Sequence, residues 1–134
     1  MADVAERVAL AREALGRFGE ALDAHGPHAM VRDSAILRFV FGYETAVAAA
    51  RHYLYAVDLD ANAAPGAVIR ACKANGLIDA AQTEGLLAMG RDRNRAVHAY
   101  DEALAEELFV RLPGYRAALQ DWLSAIEARL PPRV

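Results

Sequence analysis

Between positions 91 and 100 the chain reads Arg91-Asp92-Arg93-Asn94-Arg95-Ala96-Val97-His98-Ala99-Tyr100, and no other stretch gathers arginines, an amide, an imidazole and a phenol so closely. Guanidinium forks match the oxygens of a phosphate, and histidine exchanges a proton near neutral pH. The chemistry these residues suit is therefore work on a phosphate or a nucleic-acid backbone. Set on a helix, Asn94 and His98 are four apart, Arg95 and His98 three apart, and Arg93 and Tyr100 seven apart, so each pair shares a face. Arg93 and His98, five apart, are offset by roughly 140° and about 7.5 Å in rise, a gap that a long guanidinium stem bridges. The plainer alternative is a solvated basic face that happens to include a histidine.

Other reactive constellations lack support. His25, His28, His52 and His98 share no ligand spacing, and His25 and His28 merely straddle Gly26-Pro27, so no metal site is expected. There is no Walker loop and no dinucleotide fingerprint, hence no expected cofactor. Metal-independent cleavage of RNA does fit: a histidine takes the 2′-hydroxyl proton or protonates the leaving 5′-oxygen, while an arginine stabilises the pentacoordinate phosphate. The one histidine of the cluster serves poorly as both acid and base. A two-fold dimer would supply the second.

Arg93-x4-His98-x-Tyr100, with Asn94 after the arginine, resembles the Arg-x(4–6)-His signature of the HEPN superfamily of small helical domains. The block from Pro65 to Asp79, the helix leading into Arg93-Asn94, and His98-Ala99-Tyr100-Asp101-Glu102 are similar to the nucleotidyltransferase substrate-binding branch, close to the HepT toxins. The resemblance spans nearly the whole chain, roughly residues 5 to 130. It implies a catalytic pair of Arg93 and His98 with Asn94 as its polar neighbour, and a homodimer with the site in the cleft between protomers; Arg95 and Arg91 are supporting or RNA-binding candidates through their charge. Tyr100 matches the tyrosine to which a cognate minimal nucleotidyltransferase, usually encoded next door, transfers AMP in the toxin-antitoxin pairs. Tyr43-Glu44 matches an aromatic-Glu pair of the family, whereas Val47 stands where a tryptophan often follows. Two readings follow. One is a toxin acting as a metal-independent endoribonuclease, controlled by the nucleotidyltransferase antitoxin. The other is a non-catalytic substrate-binding or accessory subunit of a nucleotidyltransferase catalytic subunit.

Composition sets bounds on both. With 134 residues, 55% hydrophobic and 25% charged, the chain is expected to be one folded domain over 1–134. Its net charge of −3 excludes a global basic field, so any RNA must meet a local patch. A single cysteine, Cys72, and an N-terminus carrying Asp3, Glu6 and Arg7 in place of a signal peptide point to a cytoplasmic protein. No apolar run is long enough to span a membrane.

The elements that must position the cluster read as helices throughout. Val4, Val8, Ala11, Leu15, Phe18 and Leu22 mark one face of a helix over 2–24, ended by Gly26-Pro27. Arg32 or Asp33 opens a second helix, with Ser34 competing as its cap. Its apolar residues, from Ile36 to Val57, cover more than one stripe, as in a helix central to a bundle or shared with a subunit interface. Glu44 in that surround is read either as orienting an arginine or the histidine of the cluster, or as an ordinary surface ion pair. Asp58 to Ala64 reads as a linker and Pro65 as the first turn of a short helix ended by Asn75-Gly76. Within that helix Cys72 is buried filler rather than a nucleophile.

Asp79 with Gln82 forms a capping-box pattern, starting the cluster's helix near Ala80, with Leu86, Leu87, Met89 and Val97 on its buried side. Gly85 and Gly90 permit close approach by another helix or mark an irregularity. Asp101 caps the last helix, in which Pro113 is expected to break or kink the chain before a segment ending at Leu130, and Pro131 to Val134 form a frayed tail. The fold class is all-α: an antiparallel four-helix bundle with an additional short helix and a Pro-kinked C-terminal helix.

Overall fold

The computed structural model describes residues 1–57 and 64–132, and among these it contains five α-helices, one 3₁₀ turn and no strand. In chain order they are α1 (Ala2–Asp23), α2 (His28–Ala56), α3 (Pro65–Ala74), α4 (Ala80–Arg95), the 3₁₀ turn Ala96–His98, and α5 (Glu102–Glu127). The all-α bundle with one short helix is as expected. The expected linker lies outside the described residues except for Ala64, as do positions 133 and 134 of the expected tail.

Burial follows the period of the sequence. Val4, Val8, Ala11, Leu15 and Phe18 of α1 are buried as read, with Ala21 in place of the half-buried Leu22. Helix α2 is the central element, packing on α1, α5, α3 and α4. This accounts for its buried stripes, whereas Leu37 and Phe41 of the same helix are half exposed. Phe39 stacks on Tyr115 of α5 at 5.4 Å between ring centroids and meets Phe18 of α1 at 6.2 Å, so three helices share one aromatic seam. Cys72 is fully buried in α3, and burial pushes its thiol up to about 11, which suits a packing role.

Local signals hold at most helix ends. The capping box at Asp79 and Gln82 is formed in both directions, at 2.8 and 2.9 Å. Helix α3 ends in a Schellman motif: Leu77 N–H donates to the Cys72 carbonyl, Gly76 N–H to the Lys73 carbonyl, and Gly76 takes φ 77°. The Asp101 carboxylate accepts from the amides of Ala103 and Leu104 at the start of α5.

Three expectations are corrected. Helix α2 begins at His28, a turn before Arg32, because the Pro27 carbonyl accepts from both Met30 and Val31, and Ser34 is an interior residue rather than a cap. Of the break or kink expected at Pro113, the break is not found, since the last helix runs on from Glu102 to Glu127 with the proline inside it. Proline forfeits the bond to the carbonyl four residues back, but Pro113 and Gly114 face solvent, and Leu108, Leu112, Leu119 and Trp122 on both sides bury the same face. Val97 is 67% exposed, because the helix has ended before it.

The two glycines of α4 part company. At Gly90 an added Cβ would lie 2.7 Å from the Tyr43 hydroxyl, so the missing side chain lets α2 and α4 close up, whereas at Gly85 nothing lies within 4 Å. Alanine ordinarily stabilises a helix interior by about 0.5–1 kcal/mol over glycine. Gly85→Ala is expected to gain that amount in urea unfolding, and Gly90→Ala to lose about 1–2 kcal/mol through overpacking. Adding Tyr43→Phe to Gly90→Ala should recover most of the loss, since the next nearest Tyr43 atom is 3.5 Å away.

Candidate functional site

The cluster is built across the end of a helix rather than within one. Helix α4 stops at Arg95, the 3₁₀ turn carries Ala96–His98, and Tyr100 lies in the turn beyond it, where Asp101 N–H donates to the His98 carbonyl. A 3₁₀ turn has three residues per turn instead of 3.6, so the helical wheel that aligned Arg93 with Tyr100 no longer applies. What the turn does bring together is His98 and Tyr100: Nδ1 lies 3.3 Å from the phenolic oxygen, and the rings meet edge to face at 5.9 Å. Both side chains face solvent, Tyr100 with 82% of its surface exposed.

Arg93, in the last turn of α4, donates from Nε to the Glu44 carboxylate of α2 at 2.6 Å. Glu44 thus reaches the cluster as an ion pair with partly exposed side chains, a contact common to both readings the sequence offered. Its terminal nitrogens make no hydrogen bond to the described residues. Asn94 and Arg91 are exposed beside it and, with Arg93, line a recess of about 340 Å³ between α2, α3 and α4. Arg95 faces elsewhere. Its guanidinium donates to Asp92 at 3.1 Å and to Glu107 of α5 at 2.9 Å, so it does not join Arg91 and Arg93 at the recess.

Beneath these residues lies a carboxylate that sequence reasoning passed over. Asp92 is 4% exposed and accepts from Arg95, from Arg111 of α5 at 2.8 Å, and from the Tyr115 hydroxyl. Burial alone would raise its pKa, but the Tyr115 hydrogen bond and Arg111 outweigh it and hold the carboxyl below the ordinary aspartate value. The same arrangement, burial first and then Asp92, pushes Tyr115 up to about 12. The signal was present in the sequence, an aspartate on the buried side of α4 with Arg111 and Tyr115 four apart in α5, but their pairing depends on how the two helices cross. Among the described residues no three of His, Cys, Asp or Glu gather as metal ligands would.

Compared with known proteins, residues 6–128 match the family described as nucleotidyltransferase substrate binding protein like. No curated protein matches. Among solved structures, a crystal structure of a protein from Thermus thermophilus is similar, with 33% sequence identity, coverage of 87% of this chain and 98% of that one, and a TM-score of 0.80.

The Asp92 network should show in stability. Its carboxyl is held below its unfolded pKa, so its contribution is present above roughly pH 4 and is lost as pH falls through the lowered folded value. Asp92→Asn is expected to cost about 2 kcal/mol at pH 7, below the usual cost of breaking a buried pair because Arg95 and Arg111 remain partly solvated. In urea unfolding across pH, the gap between variant and wild type should narrow as the solution is acidified below that range.

Proposed function

This chain belongs to the nucleotidyltransferase substrate binding protein-like family, and we propose that it is the partner of a cognate minimal nucleotidyltransferase and acts as a HEPN-type, metal-independent endoribonuclease toxin. The observation that supports this best is the clamp on Arg93. Glu44 takes the Nε face of the guanidinium, leaving two terminal nitrogens with no acceptor among the described residues, on the same end of α4 as an exposed His98. A guanidinium held in this way meets a phosphate without first giving up another partner.

In the proposed reaction the 2′-oxygen attacks phosphorus as neutral His98 of one protomer takes its proton. The bond from phosphorus to the 5′-oxygen breaks, and a protonated His98 of a two-fold-related protomer supplies the proton to that oxygen. The products are a 2′,3′-cyclic phosphate and a 5′-hydroxyl. Arg93 donates to the non-bridging oxygens as charge builds on them. Asn94 and Arg91 hold the strand beside it, and Arg95 acts indirectly, by bracing Asp92 and Glu107. Tyr100, with its hydroxyl beside the His98 ring, is the acceptor for AMP. A phosphodiester there would place negative charge and bulk over the imidazole and turn the RNA backbone away.

A second reading, a non-catalytic subunit that binds substrate for the nucleotidyltransferase, is favoured by the arginine-lined recess, which is a binding feature rather than a catalytic one. RNA cleavage separates the two. Purified protein in EDTA, given total tRNA and a long unstructured RNA, is expected to cut. Arg93→Ala and His98→Ala should each lose at least about a hundredfold, and Glu44→Gln about tenfold as the arginine loosens. If folded wild type cuts neither RNA, the accessory reading replaces the ribonuclease. With the cognate enzyme and ATP, intact mass should rise by whole AMP units in wild type and not in Tyr100→Phe.

A further inference from the structure

The recess beside Arg93 holds more cationic chemistry than a catalytic pair needs. Arg70 of α3 and Arg91 of α4 line it, and neither forms an ion pair or hydrogen bond with the described residues. Arg70 leans back over the first turn of its own helix, where an added Cβ on Gly66 would sit 3.2 Å from its Nη1, so its guanidinium lies at the α3 N-terminus. That terminus has no side-chain cap. Among the described residues the recess carries, with Arg93, three cations against one carboxylate, Glu44, in a chain whose net charge is −3. Unpaired arginines converging on one concavity, against the sign of the whole molecule, mark a place for an anion.

Two further observations narrow the anion. The Tyr43 hydroxyl lines the recess on a side chain only 3% exposed and makes no hydrogen bond to any described residue. The ring is enclosed but the hydroxyl oxygen is not a sealed, unpaired atom, so it is open to a hydrogen-bond partner entering the recess. The remaining walls include Pro65 and Leu87, apolar surfaces that a bare phosphate would not use, and about 340 Å³ exceeds what a phosphate fills.

We infer that this recess binds one nucleoside monophosphate unit, its phosphate on Arg70 and Arg91, its sugar and base against Leu87 and Pro65, and the Tyr43 hydroxyl donating to it. The unit is either a free nucleotide or one residue of an RNA strand, the two sharing the same chemistry. The inference rests on the reading above only in taking the ligand to be a nucleotide. It adds that a strand reaching His98 by way of Arg93 is anchored by the neighbouring unit, so that Arg70 and Arg91 position substrate without touching the bond that breaks.

Binding to the full-length protein tests this independently of cleavage. The titrants are AMP, inorganic phosphate, and a short 2′-O-methyl oligoribonucleotide that cannot be cut by attack of its own 2′-oxygen, followed by calorimetry at low ionic strength. AMP, the oligonucleotide or both should bind, and which of them does identifies the source of the unit. Arg70→Ala and Arg91→Ala, both at exposed positions, should each weaken binding roughly tenfold or more. Tyr43→Phe should weaken it several-fold, and Lys73→Ala, an exposed cation of α3 away from the recess, should leave it unchanged. Failure of both nucleotide probes to bind overturns the inference, as does binding unaffected by the Arg70 and Arg91 changes. Inorganic phosphate binding as tightly as AMP overturns the nucleotide class. Arginine-dependent binding by a protein that cuts no RNA upholds the inference and removes only the ribonuclease, whereas cleavage without such binding removes only the inference.

Discussion

A charge buried without compensation would be too costly to keep, and Asp92 is, with Arg32, one of the charges this fold has to compensate. Its carboxylate lies between α4 and α5, answered by Arg95 from its own helix and by Arg111 and Tyr115 from the other. Replacing those partners by water is not open to a side chain so deeply enclosed. The last turn of α4 is therefore fixed against α5 in height and rotation. Because Asp92 points inward, Arg91 and Arg93 on either side of it must point elsewhere, and elsewhere is the gap toward α2 and α3. The orientation of the exposed cations follows from the pairing of the hidden anion.

The same constraint divides the arginines into two populations. Arg32, at the start of α2, is enclosed and bonded to Asp33, Glu102 and Glu106, tying that end of α2 to α5. Arg95 and Arg111 share Glu107 as well as Asp92. These guanidinium groups hold helices together and have little to offer a ligand. Arg91 and Arg70 have no such duty, and Arg93 is held at one edge only. In a protein with more carboxylates than cations, Arg70 and Arg91, without a carboxylate partner among the described residues, add positive charge at the recess.

How much of this was legible depended on the range of the interaction. Asp79 with Gln82, Asp101, and Asn75-Gly76 announce themselves within three or four residues, and each forms as the sequence indicates. The buried stripe of α1 is equally local in its logic, since it needs only the helical period. The start of α2 was missed because a carbonyl, Pro27, does the work that side-chain caps usually advertise. The end of α4 was missed because Ala96-Val97 carries no glycine or proline to signal a stop, and the change to a 3₁₀ turn leaves no local mark in the sequence. Arg95 was grouped with its neighbours in sequence, but Glu107 claims it from another helix. Glu44 was singled out as a contact to the cluster and does hold Arg93. The recess, assembled from three helices, has no contiguous trace at all.

The turn that carries Tyr100 is secured at both ends without using that side chain. Behind it the His98 carbonyl holds the Asp101 amide, and ahead of it the Asp101 carboxylate holds the first amides of α5. The phenol projects from this staple into water and buries almost nothing. The bundle's packing consequently does not depend on what surrounds that oxygen, where there is solvent rather than core. Such a position lets a chain be written on and erased without being refolded, with the message confined to the few ångströms around the imidazole.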